Sequence, residues 1–127
     1  MKSPENFLYS KTHEWIKFSA DQKSAAVGLT DYAQKAQGDI VYVDLPEVGD
    51  SVTKGESIGE VESVKTVSEI YSPVSGTIAE INAKVDDEPE SVNAEPWETW
   101  LFKVNDILDQ DTLLSSAEYD RFCQEEQ

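Results

Sequence analysis

The sequence predicts a mainly β fold with one short internal helix and a second helix near its C-terminus. Three observations carry that expectation. Runs rich in β-branched and aromatic residues alternate with Gly, Pro and acidic turns over the first two-thirds of the chain. Thr30 and Gly38 bracket a segment with an acid in its first turn, the marks of a short capped helix. Ser115 and Glu118 have the Ser-x-x-Glu spacing of a capping box.

In chain order, His13-Glu14-Trp15-Ile16-Lys17-Phe18 reads as the first strand, and Ser19-Ala20-Asp21-Gln22-Lys23 as a polar turn. Ser24 to Leu29 is a second, weaker strand. Thr30 caps a helix over Asp31 to Ala36, which Gly38 closes. Asp39-Ile40-Val41-Tyr42-Val43-Asp44 is the densest β-branched run. Pro46, Gly49 and Gly55 punctuate the loop after it. Ser57–Ser63 and Val67–Tyr71 are strand candidates, and Ser72-Pro73 breaks the chain before a strand over Gly76–Asn82. Asp86-Asp87-Glu88-Pro89-Glu90 is an acidic loop, Trp100–Val104 a last strand, and Ser115 opens a helix to about Cys123.

A faint internal echo joins two of these strands. Gly38–Asp44 precedes Val48-Gly49-Asp50, and Gly76–Asn82 precedes Val85-Asp86-Asp87. Two such units suit the halves of a flattened sandwich linked by a hairpin. The whole chain, 1–127, fits one domain, with a β core over about 24–105 and a terminal helix over about 115–124.

Composition narrows the function classes. With 26 acidic and 10 basic residues, the formal charge of −16 repels nucleic acid and anionic membranes and favours basic partners. No stretch approaches the ~18 apolar residues of a membrane span. The first six residues carry neither a secretory signal nor an intact organelle presequence. Cys123 is the only cysteine, so no internal disulfide is available and a reducing compartment is expected. With one His beside it, a structural zinc site has too few ligands.

The segment Val61-Glu62-Ser63-Val64-Lys65-Thr66-Val67-Ser68-Glu69 admits two readings. Val61, Val64, Val67 and Ile70 fall three apart, as on one helix face. The density of β-branched residues, with Gly59 before and Ser72-Pro73 after, equally fits two short strands around a tip at Val64-Lys65-Thr66. The second reading puts Lys65 out in solvent.

Several blocks resemble the glycine cleavage H-protein family. Glu62-Ser63-Val64-Lys65, followed by Ser72-Pro73-Val74-Ser75-Gly76, is similar to the family's lipoylation segment. His13-Glu14-Trp15, Val27-Gly28-Leu29-Thr30-Asp31-Tyr32-Ala33-Gln34 and the stretch from Gly38 to Gly49 resemble further family blocks, in family order. The resemblance implies a flattened β-barrel or sandwich of the lipoyl/biotinyl hammerhead type, with the lysine at a hairpin tip.

It also implies a non-catalytic carrier with lipoate covalently bound to Lys65. The carrier would take an aminomethyl group from a pyridoxal-phosphate glycine decarboxylase (P protein) to a tetrahydrofolate-dependent aminomethyltransferase (T protein). Dihydrolipoyl dehydrogenase (L protein) would then reoxidise it. Glu14 and Glu69 match family positions expected near the loaded arm, and Glu62 and Ser63 those read by the lipoylating enzyme. His13 and Cys123 are expected to be structural. A monomer in the bacterial cytoplasm follows, or in the mitochondrial matrix if a presequence has been removed. The other reading is an H-like relay that donates lipoate to other lipoyl domains.

Overall fold

The computed structural model describes residues 2–126. Nine strands, paired antiparallel, and four helices lie among the described residues. They are β1 (Leu8–Tyr9), β2 (Glu14–Phe18), β3 (Ala25–Leu29), α1 (Asp31–Gln37), β4 (Ile40–Asp44), β5 (Ser51–Val52) and β6 (Ser57–Ser63). There follow β7 (Val67–Tyr71), β8 (Val74–Ile81), α2 (Ala83–Asp87), α3 (Ser91–Ala94), β9 (Trp100–Gln110) and α4 (Ser116–Glu126). One sheet has six strands in the order β1-β2-β3-β9-β8-β5, the other three in the order β4-β6-β7. No strand pairing joins the two sheets among the described residues, so the fold is a sandwich and not a closed barrel. The strands of the internal echo, β4 and β8, lie in opposite sheets.

Between the sheets lies the main core. Ile16, Val27, Val74, Ile78, Phe102 and Val104 of the large sheet meet Ile40, Val43, Val61 and Ile70 of the small one. A second, aromatic cluster of Phe7, Tyr9, Trp15, Tyr119 and Cys123 sits under α4. There Phe7 stacks on Trp15 at 4.6 Å and Tyr9 on Tyr119 at 4.7 Å. The Ser3 hydroxyl and N–H both donate to Asp120 of α4, and a backbone bridge pairs Tyr9 with Leu114.

Both expected helices form with their expected caps. The Thr30 hydroxyl accepts from Ala33 N–H, and Gly38 leaves α1 at φ +84°, a conformation glycine adopts without a Cβ penalty. At α4 the capping box is complete: Glu118 accepts from Ser115 N–H, and Ser115 accepts from Glu118 N–H. The helix runs past Cys123 to Glu126.

Elsewhere the structure differs from the sequence reading. The acidic stretch expected as a loop is partly helical, because the Asn82 side chain caps α2 by accepting from Lys84 N–H. The last strand does not stop at Val104; its polar second half pairs with the start of β8. Strands β1 and β5, two residues each, carry too little pattern to be read in sequence.

Candidate functional site

The window with two readings is a hairpin. Strands β6 and β7 pair with Glu62 opposite Val67, leaving Val64 and Lys65 at the apex. Two-residue hairpin loops usually place residues with positive φ at the centre, commonly Asn-Gly. Neither Val64 nor Lys65 has positive φ. Here a side chain supports the turn instead. The Ser63 hydroxyl accepts from the N–H groups of Lys65 and Thr66, and Ser63 N–H donates to the Thr66 carbonyl at 2.9 Å. Lys65 is exposed and makes no ion pair among the described residues. Its aliphatic chain passes over Gly38, where an added Cβ would lie 3.0 Å from Lys65 Cε.

The hairpin is tied to α1. Gln37, the last residue of that helix, is buried, and its Nε2 donates to the carbonyls of Val61 and Thr66, each at 3.0 Å. Its Oε1 accepts from the Ser68 hydroxyl at 2.7 Å. Next to this tie lies a groove of about 330 Å³, near the lower end of the ~300–1,000 Å³ typical of small-molecule sites. Thr12 and His13 contribute one wall, Tyr32, Ala33, Ala36 and Gln37 of α1 another, and Thr66, Ser68 and Glu69 of the hairpin a third. The groove therefore starts one residue from Lys65.

Glu14 and Glu69, two of the acids the sequence singled out, share one network through Tyr71. Tyr71 N–H donates to Glu14 Oε2 at 3.3 Å, and its hydroxyl donates to Glu69 Oε2 at 2.7 Å. Glu69 is exposed and lines the groove, whereas Glu14 is only 1% exposed. The Glu14 Oε1 accepts from the hydroxyls of Ser10 and of Thr12, a lining residue. Burial pushes the Glu14 carboxyl up to about 7, outweighing the hydrogen bonds that pull it down. Glu14 thus stands one hydrogen bond behind the groove wall. Glu62 is exposed on β6 between Tyr42 and Val67.

His13 stacks on Tyr32 at 4.6 Å, with Nδ1 2.7 Å from the Tyr119 hydroxyl and Nε2 2.9 Å from Glu126 Oε2. Burial holds its pKa below the usual imidazole value, against the pull of Glu126. Cys123 is buried in the aromatic cluster, and burial raises its thiol. Sequence reasoning missed Thr12, Gln37 and Tyr71. Their bonds span up to 57 residues of chain, and no local pattern marks them.

A family model described as glycine cleavage H-protein matches residues 7–126. A glycine cleavage system H protein of Lachnoclostridium phytofermentans is 48% identical over 126 residues, covering 99% of this chain and 98% of that protein. One from Listeria monocytogenes is 49% identical over 124 residues, covering 95% and 98%. A crystal structure of a glycine cleavage system H protein from Mycobacterium marinum superposes with a TM-score of 0.90 at 39% identity, covering 98% of this chain and all of that one. With sequence, fold and hairpin agreeing from end to end, the chain belongs to the glycine cleavage H-protein family.

Proposed function

We propose that this chain is the carrier component of glycine cleavage and bears a lipoyl group on Nζ of Lys65. One observation carries the reading: an exposed lysine, free of ion pairs among the described residues, stands at the apex of a pinned hairpin beside a groove. The residues present fit the group. The amine is accessible for acylation, and the adjoining groove has the size of a small-molecule site. When bound there, lipoate supplies a disulfide that opens to a dithiol able to accept and release a one-carbon unit.

The chain's own part is to hold, orient and shield. Acylation removes the Lys65 charge. The Ser63 turn and the Gln37 clamp fix where the tether begins. The groove offers partial exclusion of water. Its acidic side, Glu69 with Glu14 behind Thr12, suits an ammonium group, and a cation brought near Glu14 favours the ionised carboxylate. On this reading Glu62 and Ser63 present the lysine to the lipoylating enzyme. The chain is a non-catalytic monomer in the bacterial cytoplasm. It visits in turn the glycine decarboxylase, the aminomethyltransferase and dihydrolipoyl dehydrogenase, a tether serving each at high local concentration.

Intact-mass measurement of the protein from its own host tests the proposal. The mass should exceed the chain's by one lipoyl group, located to Lys65 by peptide mapping. Lys65→Arg should fold normally and gain nothing. A lipoylated Arg variant, or a native protein with an unmodified lysine, would overturn the assignment.

A further inference from the structure

We infer that Tyr119 of α4 is a positioning residue for the groove, its single hydroxyl fixing the His13 wall to the α1 wall. The inference rests on the reading of the groove as the place where the arm is held.

For a neutral ring facing a carboxylate that only accepts, one arrangement of the bonds between His13, Tyr119 and Thr30 follows. An ionised carboxylate only accepts, so His13 Nε2 donates to Glu126. Buried and neutral, the ring has a bare Nδ1, which accepts from the Tyr119 hydroxyl at 2.7 Å. The Tyr119 oxygen then accepts from the Thr30 hydroxyl at 2.6 Å. Thr30 Oγ1 in turn accepts from Ala33 N–H at 3.1 Å, the N-cap bond of α1. Tyr119 and Thr30 are both fully buried, so water cannot replace a lost partner.

Two features make this more than packing. The Tyr119 ring is already seated by stacking on Tyr9, so its hydroxyl is free to serve the groove. His13 itself has φ +72°, a left-handed conformation unfavourable in a residue with a side chain, and it persists only where its surroundings hold it. The effect reaches the lysine. At seven residues α1 is too short to be stable alone, so its cap and contacts set its placement. It contributes four lining residues, and its Gln37 grips the Thr66 carbonyl beside Lys65. The C-terminal helix, which lines no part of the groove, thereby governs its shape.

The arrangement predicts a pH signature. Protonated His13 carries Nδ1–H and cannot accept from Tyr119, so the tie must reverse and leave the Thr30 hydroxyl proton without its acceptor. The titratable groups against the ring are Glu126 and Tyr119 of α4 and Tyr32 of α1, and the Cys123 thiol of α4 meets the same Tyr119 hydroxyl. Glu14, the next residue, titrates in a neighbouring range but does not contact Glu126.

The experiment uses the lipoylated full-length chain loaded with its one-carbon unit, in wild-type, Tyr119→Phe and Glu126→Gln forms. His13 is followed by ¹⁵N NMR, and loss of the unit by formaldehyde release. Wild-type His13 should be the Nε2–H tautomer. Tyr119→Phe should remove the Nδ1 hydrogen bond, read as a change in the ¹⁵Nδ1 shift of the neutral ring, and speed release severalfold at neutral pH. In the wild type, release should quicken as pH falls through the His13 titration. Glu126→Gln should move titration and release together to lower pH, which separates His13 from Glu14. This arm stands even if Tyr119→Phe fails to fold. The inference fails if a folded Tyr119→Phe releases its load at the wild-type rate, or if His13 protonates without any change in release. Should wild-type protein lose its load as fast as denatured chain, the groove reading itself falls, and this inference with it.

Discussion

Glu14 is ordinary in sequence and unusual in the fold. At 1% exposure it keeps a carboxyl away from water, supported by the hydroxyls of Ser10 and Thr12 and by Tyr71 N–H. Its folded pKa of about 7 stands above the ordinary 4.5, so between those values the native chain holds a proton that the unfolded chain has released. Stability from this group is therefore full below about pH 4.5 and lost as pH rises through about 7, a change of about 3–4 kcal/mol. Glu14→Gln should remove that dependence. Urea unfolding at pH 5 and 8.5 should show the wild type losing ground relative to the variant as pH rises, and parallel behaviour would refute the account. At this scale the exposed place of Lys65 at a hairpin apex was legible because a family motif surrounds it. The burial of Glu14 was not, since the strand containing it reads the same whichever way its acid points.

Among the elements, the arm hairpin shows what local pattern lacks. Val61, Val64, Val67 and Ile70 satisfy a helical spacing, yet Val61 and Ile70 are buried while Val64 and Val67 are 84% and 54% exposed. Cross-strand register, not the period along the chain, sorts them, and register is a long-range property. Gly59 marks an irregularity in the pairing of the hairpin. Pairing along β6 shifts between Ser57 and Gly59, and a Cβ at Gly59 would lie 2.1 Å from the Asp44 carbonyl oxygen. Backbone cannot yield there as a side chain would. Gly59→Ala should cost about 2 kcal/mol or more in denaturant unfolding and unsettle amide exchange across β6 and β4. A neutral effect would mean that the bulge is not fixed. The helices α1 and α4 were legible because side-chain caps precede seven and eleven helical residues; α2 has its Asn82 cap but only five residues, the last two in an acidic run that reads as loop, and the four-residue α3 has no side-chain cap.

Over the whole molecule, charge was fully legible and its arrangement was not. The −16 total includes a cross-strand row of three exposed acids, Asp44, Glu60 and Glu69, none in an ion pair among the described residues. Like charges directly opposite one another destabilise a sheet, though screening by salt weakens the repulsion. The same field attracts a basic partner over distance. On the proposed function, association with the aminomethyltransferase should slow about tenfold or more between 0.01 and 0.15 M salt, with dissociation much less affected. Stopped-flow measurement of both rates checks this, and a salt-independent on-rate would rule out steering.

The division into two cores has a practical consequence for spectroscopy. All three tryptophans, Trp15, Trp97 and Trp100, belong to or pack against the aromatic cluster under α4, and none lies in the valine-rich interior between the sheets. Indole emission therefore reports on the C-terminal clasp, while the far-ultraviolet dichroism of the strands reports on the sandwich. If the clasp opens first on heating, the two signals will part company, and a melt followed by fluorescence alone will describe a fraction of the molecule as though it were the whole.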